Sequence, residues 1–218
     1  MKIELKNVTK VFDNVEIIKD VCVIFESGNI YGLHGRNGSG KSVLMKLICG
    51  LYEPTKGEIL YNDVNLNLKG LYPDSLRASI EKPSFYPDLT GFENLKELAK
   101  IQNKITDEDI LKSLEIVNLT TEKDKKYSKY SLGMKQKLAI AQAIMEHPNI
   151  LVLDEPFNGI EDSSIVKIIN YLKEEAESGK LIIFSTHIKE DLNSLASVIY
   201  QLDNGTLKLE GENHENGI

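Results

Sequence analysis

NIYGLHGRNGSGKSVLMKLI, Asn29 to Ile48, decides how the rest of the chain is read. NIYGL has the texture of a buried strand, and GRNGSGKS, Gly35 to Ser42, fits the phosphate-loop pattern G-x-x-x-x-G-K-S. Leu44, Leu47, Ile48 and Leu51 follow at i, i+3, i+4 and i+7, the spacing of one helix face. A strand before and a helix after separate a phosphate loop from a chance run of glycines. The glycines let backbone N–H groups turn inward around an anion, so Gly35, Asn37, Gly38, Ser39, Gly40 and Val43 are expected to line the loop. Lys41 is expected to reach the β- and γ-phosphates of a nucleotide, and the Ser42 hydroxyl to ligate Mg²⁺.

Downstream, ILVLDE, Ile150 to Glu155, is an apolar run that delivers two carboxylates to the carboxyl end of a strand, where ligands bind in open α/β sheets. Beside Lys41 and Ser42 their jobs should differ: Asp154 suits a Mg²⁺ shell, and Glu155 suits a base that polarises the water attacking a γ-phosphate. LIIFSTH, Leu181 to His187, ends its strand in the same way, so His187 can point at the same nucleotide. In YSLGMKQK, Tyr130 to Lys137, Ser131 can cap the helix that follows and Gly133 lets an anion approach the backbone. The phosphate loop already has its own helix N-terminus, so this second anion cup predicts a second contact with nucleotide.

The remaining sequence predicts an α/β chain. IEL and VCVIF, with the turn-like FDN between them, and GEILYNDVNL, turning at Asn62 and Asp63, read as a small antiparallel sheet near the N-terminus. From about Pro83 to Lys129 the pattern is helical, with Thr90 and Thr106 as caps. Alternating helices and short all-apolar strands then indicate parallel strands buried on both faces, and a hairpin turns at Asn204 and Gly205. The expected organisation is a single domain over 1–218. Within it, 1–82 and 130–210 form the core with its antiparallel part, 83–129 the helical insert, and 211–218 a flexible tail.

Composition excludes several classes. With 26 basic and 33 acidic residues the net charge is −7, and the basic residues are dispersed, so a nucleic-acid partner is not expected. Cys22 and Cys49 both sit among apolar neighbours, as small hydrophobes would. No apolar leader follows Met1 and no apolar run reaches about 18 residues, which predicts a chain in a reducing cytoplasm with any membrane crossing left to another polypeptide. Small-molecule kinases clamp phosphate with several arginines, whereas Arg36 and Arg77 are the only two here. A GTPase would need N-K-x-D, and NKIT at Asn103 to Thr106 lacks the Asp.

The phosphate loop, then Ser-x-Gly-x-x-Gln in SLGMKQ (Ser131 to Gln136), then ILVLDE, then His187, resemble in order and local sequence the ATP-binding cassette ATPases. The resemblance implies a P-loop NTPase core with a parallel sheet, an N-terminal antiparallel β subdomain and a helical insert. It also implies a dimer in which each ATP lies between one subunit's phosphate loop and the other's signature stretch, so Ser131 and Gly133 would hold the partner's γ-phosphate. Carried over likewise, Phe12 would stack on adenine, and Glu81 in SIEKPSFYP would take the place of a glutamine that contacts nucleotide and metal. Three residues depart from the family's pattern: Glu81, Leu132 in place of a second signature glycine, and Glu161 in place of an Asp.

IEKPSFYPDLTGFENL, Ile80 to Leu95, is similar to cassettes of bacterial exporters of peptide antibiotics such as lantibiotics and bacitracin. The function implied is an ATP-hydrolysing subunit, paired with a second such subunit in a homodimer, that powers a separate membrane permease at the inner face of the cell membrane. The alternative is a soluble cassette acting on chromosomes or ribosomes. Such cassettes carry a long coiled coil or two cassettes per chain, and the sequence has neither.

Overall fold

Two residues with positive φ, Asp13 and Asn14, close the first hairpin, as a tight turn between right-twisted strands requires. They join β1 (Lys2–Phe12) to β2 (Val15–Glu26). The computed structural model describes residues 1–65, 73, 75–81 and 84–212. After the hairpin come β3 (Ile30–His34), α1 (Lys41–Ile48), β4 (Lys56–Tyr61), β5 (Leu76–Ser79), α2 (Gly91–Gln102) and α3 (Asp107–Ile116). Two short 3-10 turns lead to α4 (Leu132–Ile144), β6 (Ile150–Asp154), α5 (Asp162–Glu177), β7 (Leu181–Thr186), α6 (Lys189–Leu195), β8 (Val198–Asp203) and β9 (Thr206–Glu212).

The strands form two sheets. β2, β1 and β4 make an antiparallel sheet in that order, and the second runs β5-β6-β7-β3-β8-β9, parallel except for β9. Both faces of the central strands are covered, which is why they read as unbroken apolar runs rather than alternations. On β6, Ile150 and Val152 face a core shared with α1 and the antiparallel sheet, while Leu151 and Leu153 face a second core shared with the helices from α2 to α6. The α/β expectation is borne out.

The edges show where local reading falls short. β5, LRAS, carries no apolar run and was not expected as a strand; its place is set by parallel pairing with β6. The hairpin turn at Asn62 and Asp63 is present and Val64 pairs back on Tyr61, while β4 takes β1 as its strand partner. Leu66, the expected end of that hairpin, lies outside the described residues, as do Lys82 and Pro83. β9 runs through Glu212, past the start of the tail expected at 211, and residues 213–218 are not described. α1 ends at Ile48, and Gly50 at φ 71 redirects the chain, so Leu51 is 58% exposed and not part of the buried helix face.

Cys22 corrects another expectation. In VCVIF the side chains alternate, and Cys22 falls on the exposed face, where its Sγ accepts a hydrogen bond from the Asn7 N–H at 3.2 Å. Cys49 is buried as expected, and burial pushes its thiol up to about 12. Thr90 and Thr106 cap α2 and α3 as predicted, each in a reciprocal capping box, with Glu93 and Asp109.

Candidate nucleotide site

Parallel pairing in register brings the carboxyl ends of β3, β6 and β7 side by side, with His34 opposite Thr186 and Asp154 opposite Ser185. The phosphate loop leaves β3 there and enters α1 through Gly40, whose φ of 106 only glycine adopts readily. Ile17, Asn37, Gly38, Gly40, Lys41, Ser42, Val43, Asp154 and Glu155 line an open cleft of about 270 Å³. Of these, Ile17 was not expected from sequence. It comes from β2, and no local signal marks it.

Lys41 is 7% exposed, and its ammonium donates to the main-chain oxygens of Gly35 at 2.7 Å and Arg36 at 3.3 Å. Glu155 Oε1 is 3.9 Å from the same nitrogen. An ammonium held this way inside the loop is oriented before any phosphate arrives. Ser42 Oγ donates to Asp154 Oδ2 at 2.6 Å, and the buried Ser185 hydroxyl donates to Asp154 Oδ1. Ser185 also accepts the Glu155 N–H at 3.1 Å, so one hydroxyl fixes both members of the acidic pair. Sequence reading missed Ser185 because its partners lie 30 and 31 positions away.

Glu155 sits at φ 48, in the left-handed region that a non-glycine residue occupies only when its surroundings impose it. That turn carries the carboxylate off the line of β6 to His187, whose Nδ1 is 2.8 Å from Glu155 Oε2. His187 is held in turn by its neighbours. The buried Thr186 hydroxyl donates to Asp191 Oδ2 at 3.0 Å and accepts the Ile188 N–H at 3.1 Å. Burial pushes the Asp191 carboxyl up, and the nearby charge of Glu155 adds to the effect.

Lys41, Ser42, Asp154, Glu155 and His187 are thus brought together, and Glu81, Phe12, Ser131 and Gly133 are not. Glu81, at φ 62 and with its side chain 64% exposed, does not line the cleft; its carboxylate is 2.5 Å from Lys46 Nζ on α1. The carboxylate expected to contact nucleotide and metal is held instead in an ion pair with Lys46. Phe12 does not line the cleft either; it packs edge to face on Tyr52 at 5.4 Å, under Lys10 Nζ at 4.9 Å. Ser131 lies elsewhere on the surface and accepts the Met134 N–H at 3.2 Å, the cap expected of it.

Gly133 is required, but for a reason the sequence did not disclose. A Cβ placed there would stand 2.2 Å from Gly159 O, so the glycine serves close approach of α4 to the segment after Glu155. Alanine in a helix is intrinsically favoured over glycine by about 1 kcal/mol. The backbone clash outweighs this at roughly 1–3 kcal/mol. Gly133→Ala is therefore expected to lower the urea midpoint, and a midpoint at or above that of the parent would refute the contact.

The donor set fits Mg²⁺. Among the described residues no group of three or more His, Cys, Asp or Glu is placed to hold a metal. Ser42 and Asp154 offer one hydroxyl and one carboxylate side by side, the hard oxygen pair that Mg²⁺ accepts when waters and substrate phosphates complete its shell.

The sequence pattern that describes the ABC transporter family matches residues 18–158. An uncharacterised ABC transporter ATP-binding protein of Bacillus subtilis is 40% identical over 206 residues, covering 94% of each chain. A bacitracin transport ATP-binding protein of Enterococcus faecalis is 40% identical over 208 residues, covering 94% of this chain and 67% of that one. Among solved structures, a dimeric bacterial ABC transporter cassette superposes with a TM-score of 0.86 at 25% identity, over 99% of this chain and 100% of that one.

Proposed function

Because this chain belongs to the ABC transporter family, as one of its ATP-binding ATPase cassettes, we propose that it works as half of a homodimer that drives a separate membrane permease exporting a bacitracin-type peptide. The observation that carries the reading is the convergence of Lys41, Ser42, Asp154 and Glu155 on one cleft from β6 and the start of α1. The dimer of the solved cassette supports the pairing. Among the described residues no helix is long and apolar enough to cross a membrane; in this reading a separate permease recruits the cassette to the inner face. α2 and α3 span 12 and 10 residues, too short for the coiled coil of a chromosome-acting cassette.

In this mechanism the phosphate loop binds the β-phosphate through main-chain N–H groups, and Lys41 turns its ammonium from Gly35 O to the γ-phosphate. Ser42 and Asp154 would hold Mg²⁺, which when bound would offset charge on the β- and γ-phosphates. Glu155 accepts the proton of the attacking water at its carboxylate. His187 orients that carboxylate through Nδ1, and Thr186 fixes the turn that carries His187. Phe12 offers its ring to adenine, and Glu81, once released from Lys46, would contribute an oxygen toward nucleotide and metal. Ser131 and Gly133 complete the partner's site, where the free N–H groups at the start of α4 face its γ-phosphate.

Ser131→Ala tests the composite site. It removes a hydroxyl that bonds a charged oxygen, worth about 1.5–3 kcal/mol, so hydrolysis should fall by about 10- to 100-fold. ATP affinity of the monomer should stay unchanged in a filter-binding titration, since Ser131 is absent from the cleft of its own chain. Equal losses in both measurements would overturn the pairing.

A further inference from the structure

Beneath the start of α4 lies a charged group that neither the cleft nor a helix cap uses. Lys137 is buried, and its Nζ lies 2.8 Å from Glu161 Oε1, 3.2 Å from Asn118 O and 3.4 Å from Ser164 Oγ. Ser164, fully buried, donates to the same Glu161 oxygen at 2.6 Å. Hydrogen bonds from Lys137 and Ser164 bring the Glu161 carboxyl down to about 2, so that carboxylate stays ionised across the working pH range. The Glu161 side chain as a whole is 53% exposed.

Two further contacts run along the same turns of the helix. Gly133 meets Gly159 O, and Gln136 Nε2 donates to Glu155 O at 3.3 Å. Positions 133, 136 and 137 share a face of α4, being three and four apart. The strip from Glu155 to Glu161 is therefore fastened to the helix at its start, middle and end. The ionic end calls for a reason, because burying an ammonium costs several kcal/mol and an apolar residue of similar volume often serves stability equally well. What a methionine could not do is pull Glu161 onto the helix.

We propose that Lys137 is a positioning residue for Glu155: it anchors the far end of the strip to the helix that begins at Ser131, and so fixes the direction of the Glu155 carboxylate in the cleft. The inference rests on Glu155 acting as the base. Through the composite site described above, it also sets that base relative to the anion cup offered to the other nucleotide.

Lys137→Met, Lys137→Arg and Ser131→Ala in the full chain provide the test, with hydrolysis kinetics and a separate ATP-binding titration for each. Lys137→Met leaves Glu161 free to hydrate, so the chain should bind one ATP per subunit with Kd within about twofold of the parent. Its kcat should fall by about 10- to 100-fold, the cost of a reacting group displaced by about an ångström. Lys137→Arg should restore most of the rate. Native turnover in Lys137→Met, or a loss of ATP affinity matching the loss of kcat, would overturn the proposal. If Ser131→Ala turns over normally while Lys137→Met is slow, the composite site falls and the role of Lys137 stands.

Discussion

Glu155→Gln is expected to hold ATP without turning it over, with hydrolysis reduced by about 10²- to 10⁴-fold, the usual contribution of a general base. The substitution keeps the shape of the side chain and the hydrogen bonds that the main-chain N–H of residue 155 donates to Ser185, so the cleft stays built. What is lost is a carboxylate able to accept the water proton. A carboxamide oxygen is too weak a base to take its place. The same variant reports assembly: with ATP trapped, light scattering should show a dimer that is monomeric without nucleotide, and the comparison with and without Mg²⁺ tells whether the metal favours or opposes closure. A chain that binds ATP yet stays monomeric would send the search to a different partner cassette. Turnover near the parent's rate would remove Glu155 from the mechanism.

Lys41→Met should instead abolish binding. The ammonium is held inside the loop by two main-chain oxygens and stands 3.9 Å from Glu155, so it is oriented toward the cleft in advance. Removing one partner of a buried charged contact costs about 3–5 kcal/mol, which weakens ATP binding by roughly 10²- to 10³-fold or more. Isothermal titration of the two variants should therefore separate cleanly: Glu155→Gln binds and does not hydrolyse, and Lys41→Met fails to bind. Tight ATP binding by Lys41→Met would mean that the glycine loop alone carries the affinity.

How much of this was legible depended on how local each signal is. The phosphate loop, ILVLDE and the Thr90 and Thr106 caps are written in residues a few positions apart, and each appears where the local pattern puts it. The Gly133 contact with Gly159, the Lys46 pair with Glu81 and the Lys137 pair with Glu161 join residues 24 to 35 positions apart, and nothing in either member's neighbourhood announces the other. Gly133 illustrates the limit. Its identity suggests room for a phosphate, while the coordinates assign it to a backbone crossing that only the folded chain creates. Phe12 and Glu81 show the converse, since similarity in sequence fixed their expected partners and the fold gives them Tyr52 and Lys46.

The pairing of β3 has a consequence for how the chain is made. Its neighbours are β7, which ends at Thr186, and β8, which ends at Asp203, so a strand near the N-terminus waits for most of the polypeptide before either edge is filled. The strand that launches the phosphate loop cannot be secured while the ribosome is still making the middle of the protein. At about 5–20 residues per second, that leaves the apolar run NIYGL without its sheet for several seconds or longer. Nucleotide binding should accordingly switch on late in synthesis, and stalled chains that end before β7 should depend on chaperones rather than on ATP for their solubility.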